Sequence, residues 1–171
     1  MTRYPPPIAE LLREERLPPL GPGSPNLAAR PQLEALRCDA SLRAGLWLYH
    51  DFLDESHQIS QGLPTPTGSF WHGIMHRREP DYGNARYWFR RVGKHPIFDE
   101  LAQRAAELAG REQLAPAASF LVVQASWNPF DFIDLVEATA AGSTPHEQLC
   151  RQIQLLEWRL LFEHAFEETR Q

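Results

Sequence analysis

The chain has 171 residues and a mass of 19.6 kDa, enough for one domain with a sizeable buried core. Apolar residues make up 43% and charged residues 23%, with a net charge of −5, which argues against a nucleic-acid binder. No run of 18 apolar residues and no apolar signal core occurs, so the expectation is a cytoplasmic protein with no membrane partner.

The charge is unevenly placed. Residues 72–95 carry a net +4, leaving about −9 elsewhere; a basic patch on an acidic protein suits a small anionic ligand better than a long polyanion. Lys94 is the only lysine beside sixteen arginines. That skew has the look of a GC-rich genome, so the positions of the arginines inform and their choice over lysine does not. Cys38 and Cys150 are solitary, with none of the spacings of a structural zinc site.

Eight of the fifteen prolines fall within residues 1–31. Such density excludes a long helix or a sheet, and 1–31 reads as a Pro-rich arm, with one short helix from Ile8 to Arg16, ahead of a single all-α domain at 32–171. From Pro31 the helical period takes over. "PQLEALRC" opens with Pro in a first turn, and 41–61 forms one amphipathic helix on the stripe Leu42, Leu46, Tyr49, Leu53. Two short helices follow at 69–79 and 82–92, separated by Pro80, with Asp81 capping the second. "HPIFDELAQRAAELAG" closes on Gly110. "ASFLVVQASW" is strand-like but has no partner, and reads as a buried extended connector. Asn128-Pro129 starts a helix that Gly142 ends. Thr144 and Glu147 form a capping box for a last helix through about Glu168, which is apolar on most sides and should run through the core with Glu157 paired to an arginine or to His76. The fold class is all-α, with about six or seven helices.

Residues four and seven apart share a helix face. His50, Asp54, His57 and Gln61 make one polar stripe; His72, His76 and Glu79 make a second; Asn84, Trp88 and Arg91 make a third. If the three helices pack together, the stripes converge on a pocket. Its leading occupant is a small carboxylate or phosphate, held by Arg77, Arg78 and Arg91, oriented by Asp54, Asn84 and Tyr87, with Trp88 as a wall and His57, His72, His76 or Glu79 for acid–base catalysis. The second reading is a hydrolase with a divalent metal on His57, His72 and His76. Arg77 and Arg78 weigh against it, because a unit charge ~6 Å from a divalent ion costs about 5 kcal/mol at an effective dielectric near 20 unless carboxylates neutralise it. The third reading is an interaction scaffold without a pocket. A homo-oligomer is left open.

"WHGIMHRREPDYGNARYWFRRVGKHP" resembles the signature of a family of uncharacterised bacterial and fungal proteins, with His-x-x-x-His-Arg-Arg-Glu, then Asp-x-x-Asn-Ala-x-Tyr-Trp, then Arg-Arg-Val-Gly. "YHDFLDESHQISQ", "WNPFDFIDLVEA" and "IQLLEWRLLFEH" look like its flanking parts, so the likeness covers about 45–166. It implies no catalytic residue. Trp71, "PDYGNA", Ala85, Phe89 and Pro96 are also similar to a tetratricopeptide-type (TPR-like) hairpin over 69–93, which implies helical-hairpin geometry and no array.

Overall fold

A computed structural model describes residues 3–170; the first two positions of the 1–31 segment and the last of 32–171 lie outside the described residues. The described chain is all-helical. Its α-helices are α1 (Pro6–Leu11), α2 (Arg30–Ala35), α3 (Ala40–Tyr49), α4 (Leu53–Ser60), α5 (Pro66–Arg78), α6 (Tyr82–Val92), α7 (Phe98–Ala109), α8 (Pro129–Ala140) and α9 (Glu147–Glu168), with a 3-10 helix at Pro116–Val122. None of the described helices is long and apolar enough to cross a membrane.

The helix count exceeds the expected six or seven, and the main reason is a break at Asp51. The stretch 41–61 is two helices. α3 ends with Asp51 in the left-handed region at φ 65, Phe52 N–H donating to Trp47 O and Asp51 N–H to Leu48 O. This is the double hydrogen bond of a Schellman ending, which ordinarily uses Gly or Asn at that position. An L-residue there costs roughly 1–2 kcal/mol. The Asp51 carboxylate offsets that cost by accepting from Arg16 at 2.7 Å and Arg78 at 2.6 Å. The polar stripe drawn across 41–61 is broken with the helix.

Two further expectations are corrected. "ASFLVVQASW" is not extended: the 3-10 helix covers its first half, and Val122 and Val123 are exposed. Thr144 and Glu147 form no capping box, since α9 is preceded by His146 without a side-chain cap, and Thr144 Oγ1 bonds Thr139 Oγ1 instead. Other signals hold. Asp81 accepts from Asn84 N and Asn128 from Phe130 N and Asp131 N. Gly142, at φ 76, closes α8 with the paired bonds of a second Schellman ending.

α5 is the most enclosed element, with every residue from Thr67 to Arg78 buried. Thr65 caps it by accepting from Gly68 N, and Pro80, lacking an N–H, follows its end. α6 lies against it through Gly73, where a Cβ would come within 2.7 Å of the Phe89 ring. Gly45 of α3 likewise lets the Trp71 ring approach, and its carbonyl accepts from Trp158 Nε1 of α9 at 2.8 Å.

Two adjacent arginines end α5, both fully buried. Arg77 makes a two-pronged pair with Glu157 of α9, at 3.2 and 2.5 Å, donates to Gln154 at 3.2 Å, and lies over the Phe132 ring. Arg78 donates to Asp51, Leu48 O, Gly21 O and Pro22 O. The N-terminal segment is therefore held by its carbonyls; Arg151 binds Leu17 O and Pro18 O, and Gln154 binds Pro19 O.

Arg77→Met should leave Glu157 buried and unpaired and lower stability by about 3–5 kcal/mol, whereas the double substitution Arg77→Met with Glu157→Leu should recover most of the loss. Urea denaturation of the two variants measures the difference.

Candidate functional site

His57 of α4 and His72 and His76 of α5 come together. Their ring centroids are 4.7 Å (His57–His72), 5.4 Å (His57–His76) and 4.7 Å (His72–His76) apart, and one nitrogen from each lies within 4.8 Å of the others. α5 supplies two of the rings because residues four apart sit one above the other on a helix. α4 supplies the third, and the turn at Asp51 is what sets that helix on its own course.

The three rings differ in surroundings. His72 is 2% exposed and lies in a stack, parallel to within 16° of Trp88 at 3.7 Å and of His76 at 4.7 Å. Both of its nitrogens are buried without a hydrogen-bond partner, and it is the only described residue with two such atoms. An unmade buried hydrogen bond costs about 1–3 kcal/mol, so a side chain with two needs a reason to be there. His76 Nδ1 donates to Glu79 at 3.0 Å, which leaves Nε2 as its free nitrogen and makes that ring more basic as a ligand. His57 is half-buried and meets both other rings nearly edge-on.

Burial and the neighbouring His76 and His57 rings push the His72 pKa down to about 3. His76 is also lowered, chiefly by burial, with Glu79 opposing. These imidazoles are neutral at pH 7, the form that ligates metal with no proton to displace.

The arginines that weighed against a metal are neutralised. Arg77 and Arg78 leave α5 on other faces and are paired with Glu157 and Asp51. The structure thereby takes both of them away from any anion at the histidines. His50 is also elsewhere, between Asn26 and Leu11 O. Asp54 and Gln61 are exposed on and after α4. Asn84 is exposed, and its amide donates to Asp81 at 2.7 Å. Trp88 reaches the cluster; Tyr87, 45% exposed, meets Trp88 edge-on, and the Arg91 guanidinium lies 5.3 Å from the Trp88 ring and 5.9 Å from Tyr87. Of the two partners open to Glu157 of α9, it is Arg77 that engages it and not His76, which bonds Glu79.

Asp51 as a neutralising group was missed in the sequence, since nothing in the local pattern marks it as buried. Asp81 forms a second close group with His76 and Glu79, but it is occupied as the α6 cap. A groove of about 450 Å³ between α7 and α9 shares no residue with the histidines, and two of its arginines, Arg104 and Arg159, already pair with Glu100 and Glu15.

A tetrahedral ion with bonds of about 2.1 Å holds its nitrogens about 3.4 Å apart. The observed separations require a modest contraction and a turn of one ring out of the His72–His76 stack. The second torsion of histidine is broad, so that turn is soft. The donor set is three imidazoles, one of them buried without a partner, and one carboxylate behind a ligand. This set fits a divalent ion with an open fourth position. No known protein family, curated protein or solved structure matches the chain.

With a folded pKa near 3 against about 6.5 unfolded, His72 takes up its proton more readily in the unfolded chain. Its contribution is complete above pH 6.5 and is lost as pH falls toward 3. Between pH 7 and 5 this loss should be about 2 kcal/mol. His72→Phe, which keeps the stack on Trp88, should flatten that slope by a like amount in chemical denaturation at the two pH values.

Proposed function

We propose that the protein is a metal-dependent hydrolase whose divalent ion is held by His57, His72 and His76. The observation that carries this reading is His72, fully buried in a three-histidine cluster with neither nitrogen satisfied. Three protein ligands with a fourth position open is the pattern of catalytic zinc sites, where structural sites use all four. An ion bound there would lower the pKa of a water in the open position toward about 7, supplying a nucleophile at neutral pH.

The chain's own groups have separable parts. Glu79 fixes the His76 tautomer through its bond to Nδ1. Trp88 shields one face of His72 and keeps water from it. The Arg77–Glu157 and Arg78–Asp51 pairs keep positive charge from opposing the ion.

Purified protein should carry close to one equivalent of zinc or a similar ion, and Zn²⁺ at 100 times its dissociation constant should stabilise the fold by about 2.7 kcal/mol. Glu79→Gln should weaken the ion 10–100-fold, and His72→Phe should abolish it together with any hydrolysis of p-nitrophenyl esters. Binding by wild type and His72→Phe with equal affinity, or no binding by wild type, would remove the reading.

A further inference from the structure

Building on the three-histidine metal reading, we infer that the centre takes a ligand bearing a compact oxyanion, a phosphate or carboxylate group, and that Arg91 holds this group beside the ion. The first ground is charge. All three protein ligands are neutral, so a divalent ion keeps its full charge at the open position. Glu79 and Asp81 group with His76, while Trp88 stacks on His72.

The second ground is an inventory of cations. Arg77 and Arg78 are spent on buried carboxylates, and Arg86 is paired with Asp134 and Glu137. Among the described residues, Arg90, Arg91 and Lys94, along the end of α6, have no carboxylate partner. Of these, only Arg91 shares a face with Tyr87 and Trp88, at four and three residues' distance, and its guanidinium packs on both rings. Arg90 is two residues from Trp88, on the far side of the helix. Lys94 lies beyond the last residue of α6.

The third ground is reach. The Arg91 guanidinium carbon is 5.3 Å from the Trp88 centroid and that centroid is 3.7 Å from His72's, so the guanidinium is no more than about 9 Å from the His72 ring. A phosphate bridging an ion and a guanidinium keeps the two about 6–7 Å apart, with the ion itself about 3 Å from the ring centre. The lengths match. The indole and phenol rings hold the arginine stem, so its fork meets the anion with less freedom to lose.

The test uses Co²⁺-loaded full-length protein, whose visible bands report the coordination sphere, titrated separately with inorganic phosphate and with acetate. Wild type should shift its bands with one or both anions, and the responding anion names the class. Arg91→Gln should bind that anion at least about tenfold more weakly with Co²⁺ affinity unchanged, Arg91→Lys should fall between, and Arg90→Gln should match wild type. Anion binding by Arg91→Gln equal to wild type, or no spectral response to either anion, overturns this inference and leaves the metal site standing. Failure of wild type to bind Co²⁺ removes both.

Discussion

Two guanidinium groups buried side by side at the end of α5 constrain everything around them. Neither can be left without a carboxylate, because an unpaired charge in the interior costs several kcal/mol. Adjacent side chains on a helix leave it about 100° apart, so the two partners must come from different directions. Arg77 finds Glu157 on α9, and Arg78 finds Asp51 at the corner between α3 and α4. One helix end thus positions the longest helix, the α3–α4 turn and the N-terminal segment. Such pairs contribute less to net stability than to choosing one arrangement among several apolar ones, a role well attested for buried polar groups elsewhere.

The same constraint shapes the histidine cluster. With Arg77 and Arg78 turned away and neutralised, His72 and His76 share a face of α5 with no paired or unpaired arginine on it. Burial there favours neutral rings. The α3–α4 corner that satisfies Arg78 also starts α4, the helix that brings His57 to the other two. Charge pairing in the core and the gathering of the three histidines are therefore two results of one packing decision.

Much of the helical layout is readable from local chemistry. Pro80 with Asp81, Asn128 with Pro129, and Gly142 each leave a terminus with a particular residue type, and each terminus lies where that residue puts it. The convergence of His57, His72 and His76 follows from i, i+4 spacing plus the packing of consecutive helices. What was illegible depends on distant partners. Asp51 ends α3 in a conformation usually given to glycine, and only Arg16 and Arg78, far away in sequence, make it tolerable. Arg77 and Arg78 read from sequence as anion-holding residues, because nothing near them announces Glu157 or Asp51 as partners. Thr144 and Glu147 have the spacing of a capping box, yet Thr144 is claimed by Thr139.

The clamp on the N-terminal segment bears on the order in which the chain assembles. Residues 17–19 are held by Arg151 and Gln154, 133 to 135 positions away. Proline removes backbone donors and leaves acceptors, so this segment takes its hydrogen bonds from side chains made much later. It is made before α9 and has no side chains of α9 to dock against until that helix is present. Contacts of such long separation bear heavily on folding rate, because loop closure precedes their reward. Interactions of this kind, where they form after the main barrier, act on the unfolding rate more than on the folding rate.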